Sequence, residues 1–285
     1  MVLQYNSTVP GPNSQPMLAV EILKLCPNIH SLLRPRFTFK DSLHFDYETD
    51  AVPLPALRHL EWWHHSEAER SGGINSLNSV VRGAPNISYL FVGGVHTLSR
   101  LWLQEGTFPH LQTLRLGTVN HLFLHQIVSS WSLPSLTYIV LDFPLPDSGW
   151  DLIWSAFGRQ LKAIEFGKTL RFFSEDQLSS CLNGCPGLEH LNFYLFFTAP
   201  AVNIQPHMSL TTVHLHAAVN ELLYNADAVA WHLIDHHFEV LCGSDLPALR
   251  RIVLHGNWHS ILHHSRFISI RDKFQDSDRI LEISH

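Results

Sequence analysis

One short phrase returns nine times along the chain: a Pro or a stand-in, one further residue, an apolar anchor, then apolar residues three and five positions later. One copy reads Leu54-Pro55-Ala56-Leu57-Arg58-His59-Leu60-Glu61-Trp62, and another reads Phe108-Pro109-His110-Leu111-Gln112-Thr113-Leu114-Arg115-Leu116. The anchors are Ile29, Leu57, Ile87, Leu111, Leu136, Leu161, Leu188, Leu210 and Leu249, separated by 28, 30, 24, 25, 25, 27, 22 and 39 residues. Self-similarity at a period of about 20 to 50 residues marks a repeat architecture, in which no unit can bury its apolar face without its neighbours. The end of each phrase alternates apolar and polar residues, the pattern of a short strand with one buried face. Between phrases, 74–81, 122–130, 150–157, 175–182 and 229–241 space their apolar residues by three and four, as a helix requires. Strand and helix in alternation demand right-handed crossovers and a parallel sheet, so the expected class is α/β.

The phrases resemble those of leucine-rich repeats, and among these the irregular kind found in F-box proteins. Cys26-Pro27-Asn28-Ile29 and Cys185-Pro186-Gly187-Leu188 carry the Cys-Pro-x-apolar opening frequent in that group. The Leu-Pro-x-Leu openings and the loops rich in Trp and His are similar to those of fungal F-box-like proteins. This resemblance spans residues 17–285 and implies a leucine-rich-repeat solenoid of about nine irregular repeats. A curved parallel sheet would line its concave face, and helices its convex face. Residues 1–16 are polar and bear Pro and Gly, and are expected to form a flexible tail. Residues 17–285 are expected to form a single domain, with 257–285 capping its C-terminal end. F-box proteins begin with a helical segment of some forty residues opening near Leu-Pro-x-Glu, and no such segment is visible. The resemblance therefore implies a non-catalytic protein-recognition module, similar to the substrate-binding region of a ubiquitin-ligase adaptor. A Skp1-type adaptor is an expected partner only if an F-box lies further upstream. A free-standing interaction or inhibitor protein of the ribonuclease-inhibitor type is the alternative, and a metal-dependent hydrolase using His clusters a remote third.

A hydrophobic content of 45% supports a large core. The net charge of −6 lacks the basic stripe that nucleic acid requires. No apolar run is long enough for a membrane span, and 1–16 lacks the charged start and apolar stretch of a secretory signal. The sequons at Asn6 and Asn86 therefore carry little weight. Four cysteines are too few for a disulfide framework and point to a reducing compartment, cytoplasmic or nuclear. Cys26 and Cys185 occupy the slot before Pro that Leu54, Ala84, Phe108, Leu133 and Leu246 fill elsewhere, so they are expected to be small core residues. Cys181 adds a Cys-x-x-x-Cys pair, short of the four ligands of a structural zinc site.

Several segments imitate catalytic motifs without completing them. Residues 162–169 end in Gly167-Lys168-Thr169, like a phosphate-binding loop. Lys162 stands where its first glycine belongs, and 161–166 reads as a repeat strand. His232 and His236 have the spacing of a zinc protease, with Leu233 in place of the Glu that would act as base. His64-His65 and His263-His264 are adjacent pairs whose side chains diverge. No catalytic, cofactor-binding or metal-ligating residue is expected.

With the anchor and its third and fifth successors turned inward, the residues two, four and six after each anchor face the other way. The rows are His59, Glu61, Trp63; Tyr89, Phe91, Gly93; Thr113, Arg115, Gly117; Tyr138, Val140, Asp142; Ala163, Glu165, Gly167; His190, Asn192, Tyr194; Thr212, His214, His216; and Arg251, Val253, His255. The candidates for binding a protein ligand are His59, Glu61, Trp63, Tyr89, Phe91, Arg115, Tyr138, Asp142, His190, Tyr194, His214, His216 and His255. Trp63, Tyr89 and Phe91 are expected to expose large rings beside Arg115, the residue types that dominate interfaces. His214, His216 and His255 are expected to cluster near Tyr194, where they could sense pH or simply form a solvated polar surface.

Overall fold

The computed structural model describes residues 23–34, 52–64, 69, 76–96, 101–145, 149–172, 175–218, 227–276 and 278–284. The expected tail, 1–16, lies outside the described residues, as does His65. The chain divides into two compact units, Met1–Leu136 with Leu145–Asp147, and Thr137–Pro144 with Ser148–His285.

The first unit holds β1 (Ser31–Arg34), β2 (His59–Trp63), α1 (Leu77–Gly83), β3 (Tyr89–Gly93), β4 (Gly106–Thr107), β5 (Thr113–Leu116), α2 (His121–Ser130) and β6 (Trp131–Ser132). Strands β1, β2, β3 and β5 pair in parallel in that order, and β4 pairs with β6. The second unit holds β7 (Tyr138–Leu141), α3 (Gly149–Phe157), β8 (Ala163–Phe166), α4 (Gln177–Gly184) and β9 (His190–Tyr194). It continues with a 3₁₀ turn (Leu195–Phe197), β10 (Thr212–Ala217), α5 (Asp227–Cys242), β11 (Arg251–Gly256), α6 (His259–Leu262), α7 (Ser265–Asp276) and β12 (Ile280–Ile283). Strands β7 to β12 pair in parallel in chain order. The class is therefore α/β, as expected.

The recurrent phrase is a turn followed by a strand. The carbonyl before Pro accepts the anchor's N–H: Leu57 to Leu54 at 3.1 Å, Leu136 to Leu133 at 3.2 Å, Leu188 to Cys185 at 3.0 Å and Leu249 to Leu246 at 3.1 Å. Pro suits the second position of such a β-turn because its φ is preset and its missing N–H is not needed there. One residue beyond the anchor, a single carbonyl accepts two N–H groups from the next copy. Arg58 and His59 both donate to His30, Ser88 and Tyr89 to Arg58, and Glu189 and His190 to Lys162. These shared acceptors set the register before the strand begins.

The period-two alternation then holds. From Leu57 onward the anchors and their third and fifth successors are buried, with Trp62, Phe166 and Phe193 the largest of them. Each buried Leu anchor cut to Ala would cost about 2–5 kcal/mol on its lost packing. The first copy departs from the pattern. Arg34 takes its inward position, buried with its guanidinium carbon 4.5 Å from the Trp62 ring centroid. Cys26 is exposed, which corrects its expected place in the core, whereas Cys181 and Cys185 are buried free thiols. Both sit at the end of α4, where the Cys185 N–H caps the helix on the Cys181 carbonyl. Burial holds the Cys181 thiol well above its usual range.

Two segments run beside a helix, and an asparagine of that helix holds each one. Asn78 of α1 donates to the Trp102 carbonyl and accepts from the Gln104 N–H. Asn183 of α4 does the same to Asn203 and Gln205. A side-chain amide thus supplies both partners that a neighbouring strand would otherwise offer.

Two copies of the phrase lack Pro. At Leu161 the N–H bonds back to Phe157 and prolongs the end of α3. At Leu210 an imidazole replaces the turn carbonyl: Nδ1 of buried His207 accepts the Leu210 N–H at 3.1 Å, and Nε2 donates to the Cys185 carbonyl at 3.0 Å. His207→Leu would orphan both backbone groups, each worth about 1–3 kcal/mol. The denaturation midpoint should fall by an amount equivalent to about 2–6 kcal/mol. An unchanged midpoint would show that the ring carries neither bond.

His237, on α5, is 2% exposed; its Nε2 donates to the Thr198 carbonyl at 2.9 Å, and its ring lies 5.3 Å from that of Phe193. Burial pushes its pKa down from 6.5 to about 4, with the backbone bonds pulling weakly the other way. The unfolded chain therefore takes up a proton at higher pH than the folded one. Stability is complete above pH 6.5 and declines as pH falls towards 4, by about 3 kcal/mol in total from this ring. His237→Phe should flatten that acid limb by one proton in unfolding titrations, even if it lowers stability at neutral pH. An unaltered slope would place the titrating group elsewhere.

Candidate functional site

In the first unit the register sets His59 against Tyr89, and Phe91 against both Glu61 and Arg115. The His59 and Tyr89 rings stack with centroids 4.1 Å apart and planes 5° from parallel, and His59 Nε2 lies 3.1 Å from Glu61 Oε1. Trp63 meets Phe91 edge-on at 5.1 Å, and the Arg115 guanidinium carbon lies 5.8 Å from the Phe91 centroid. Phe91 is only 6% exposed, so the expected exposed ring is a local core residue. The cause is two glycines. A Cβ at Gly93 would lie 2.8 Å from Cζ of Phe91 and 2.9 Å from Cζ3 of Trp63, and one at Gly117 would lie 3.2 Å from the Phe91 ring. The rings lie against bare backbone in space that side chains would fill. His59, Glu61, Trp63, Tyr89 and Arg115 remain half-exposed.

In the second unit the outward residues form three rows. Tyr138, Ala163, His190, Thr212 and Arg251 stand in one register, and Val140, Glu165, Asn192, His214, Val253 and Glu282 in the next. In the third, His216 stands between Tyr194 and His255. Strand spacing of about 4.8 Å brings these rings into contact. Tyr194 stacks on His216 at 4.6 Å, and His216 on His255 at 4.7 Å. His214 Nδ1 lies 2.9 Å from His255 Nε2, and its ring lies 6.5 Å from that of His190. A hydrogen bond between imidazoles needs one unprotonated nitrogen, so protonating both rings breaks it. Burial, and next the charge of His255, holds His214 and His216 below the usual imidazole range, while Glu165 pulls upward. The sequence-based expectation of a cluster near Tyr194 is met. Thr212, Val140 and Val253 of the outward rows are buried between their neighbours.

Glu165 and Asn192 were legible as members of the rows, but not as a centre. Tyr138 Oη donates to Glu165 Oε2 at 2.7 Å, and Asn192 Nδ2 donates to the same oxygen at 3.2 Å. Asn192 Oδ1 is covered and has no donor among the described residues. Burial raises the Tyr194 phenol, and the charges of Glu165 and Asp142 add to this. Glu282 carries no signal in the sequence, because β12 has no full phrase. It binds Arg251 Nη2 at 2.6 Å.

The motif imitations resolve as follows. Residues 163–166 form β8, leaving no phosphate cradle there. His232 and His236 sit together on an exposed face of α5 with ring centroids 4.1 Å apart. His263 and His264 are exposed, the latter with its ring centroid 4.3 Å from that of Trp231. Among the described residues no group of three or more His, Cys, Asp or Glu is arranged to hold a metal ion. Among them too, no helix is long and apolar enough to cross a membrane.

The imidazole cluster makes a measurable claim. In an NMR titration the His214 and His216 rings should show midpoints below 6.5. His255→Ala should move both midpoints upward, since it removes a nearby positive charge and some of the burial. Midpoints at or above 6.5 would mean that the stack does not form in solution.

No family model matches the chain, and a comparison with curated proteins finds no match.

Proposed function

We propose that the chain is a non-catalytic protein-recognition module of the leucine-rich-repeat kind. Its parallel strands would line the concave side of a solenoid and offer their outward rows to a protein ligand. The role would be similar to that of the substrate-binding repeat region of an F-box ubiquitin-ligase adaptor. One observation carries the reading: the strand positions facing away from the core bear half-exposed Trp63, Tyr89 and Arg115 in the first unit and Tyr138, Tyr194, His216 and His255 in the second, the last three in one register. Large rings and Arg on a rigid sheet supply contact area at small entropic cost, as interfaces require.

The test is a selection of binders from a random peptide display library against the full chain. Peptides that bind should weaken about tenfold or more with Trp63→Ala plus Tyr89→Ala, or with Tyr194→Ala plus His255→Ala. Trp102→Ala serves as the control, since Trp102 is 72% exposed on a segment held by Asn78 of α1 and belongs to no strand. Binders that depend on Trp102 and ignore both face variants would overturn the proposal.

A further inference from the structure

The imidazole cluster of the second unit is packed in a form that resists protons. His214 Nδ1 lies 2.9 Å from His255 Nε2, and such a bond tolerates one proton on the two free nitrogens but not two. His216 stacks on Tyr194 at 4.6 Å and on His255 at 4.7 Å, with planes 23° and 15° from parallel. The His190 ring lies 6.5 Å from that of His214. Among the described residues none of these four imidazoles forms an ion pair with a carboxylate.

Charged and titratable groups reach the cluster from each neighbouring strand. β9 brings His190 and Tyr194, and β11 brings His255 and Arg251, whose guanidinium binds Glu282 of β12. β8 brings Glu165, which accepts from Tyr138 and Asn192. The charge of Asp142, just after β7, acts on Tyr194. Phe197 of the 3₁₀ turn lies 6.1 Å from Tyr194 and has the Arg171 guanidinium over its ring. On the other side of the sheet, His237 of α5 lies against Phe193. At His214, burial, His255, His190 and Arg251 oppose a proton; at His216, burial, His255 and His214 oppose one. Only Glu165 favours uptake at either ring.

That opposition lasts only while the rings stay packed. Tyr194, His214, His216 and His255 are all half-exposed. Rotation about a side-chain bond can carry such a ring into water, and the backbone ladder of β9, β10 and β11 is untouched by it. In water an imidazole regains its ordinary proton affinity, so the open arrangement binds protons that the packed one refuses. Acid therefore draws the population towards the open arrangement. The window lies below 6.5, the ordinary imidazole value, and above the value of about 4 at which buried His237 takes its proton.

We propose that this cluster is a proton-operated switch on the recognition face: packed at neutral pH, it opens in weak acid, frees Tyr194 and releases the protein ligand held there. Release rests on the recognition reading above; the opening of the stack does not.

The test follows the full chain by NMR at about pH 7.5 and about pH 5, the span in which imidazoles change charge. Nuclear Overhauser contacts between the Tyr194 and His216 rings should be present at neutral pH and lost in acid. Contacts between Leu191 and Val213, paired on the inward face, should remain at both. His216→Phe keeps a ring between Tyr194 and His255 that takes no proton, so its contact with Tyr194 should survive in acid. A Tyr194–His216 contact that persists in acid in the native chain would overturn the inference, and so would equal loss of the contact in His216→Phe. Display-selected peptides with blocked ends and no ionisable side chain, dependent on Tyr194 and His255, should bind about tenfold more weakly at the lower pH, the change that one linked proton produces per pH unit. Binding that ignores pH would overturn release and leave the recognition reading in place. Binders indifferent to both face variants would remove that reading and release together, while the ring contacts still decide whether the stack opens.

Discussion

Register in this protein is set by one carbonyl per repeat. In most copies the group one residue past the anchor accepts two N–H donors from the next copy, and the turn before the anchor delivers those donors in place. The outward chemistry depends on that alignment. A slip of one residue would exchange the buried and outward faces of a strand. The stack of Tyr194, His216 and His255 would then be dispersed, and Leu191 and Phe193 would leave the core. Pro is useful in the turn but replaceable. His207 supplies the acceptor from a side chain, and the end of α3 supplies it from a helix.

The two units use the same outward positions in different ways. In the first, glycines at 93 and 117 let Phe91 lie on the backbone, so part of the face becomes a small core topped by Trp63 and Arg115. In the second, Gly167 gives its space to the Asp142 side chain, whose Oδ1 would overlap a Cβ there, and Glu165 stays half-exposed between Tyr138 and Asn192. Small residues beside a ring let it settle inward; beside a carboxylate they let it approach the backbone while it keeps part of its solvent, because desolvating it fully would be costly.

The strands and most helices were readable from period and spacing. The segments 122–130 and 150–157 correspond to α2 (His121–Ser130) and α3 (Gly149–Phe157) within one residue at each end. What escaped notice lacked the phrase. β12 has no apolar anchor, since Asp278 stands opposite the Leu249 position, and it shows φ 55. Arg34 broke the inward pattern because the Trp62 face and the nearby Glu69 charge make a buried guanidinium tolerable. Cys26 matched its copies in sequence but is exposed.

The sequence by itself determined which residues share a side of the strands, because alternation is a property of the extended backbone and needs no partner. It also determined where each strand starts, through the turn before the anchor. Only the tertiary structure decided what each outward residue does. That outcome depends on the side chain offered at the same register by strands some 25 residues away. Phe91 is buried because Gly93 and Gly117 leave room for it. His214 and His216 are held towards neutrality because neighbouring strands partly bury them and His255 arrives beside them. Glu165 becomes a hydrogen-bonded centre because Tyr138 and Asn192 arrive on either side of it.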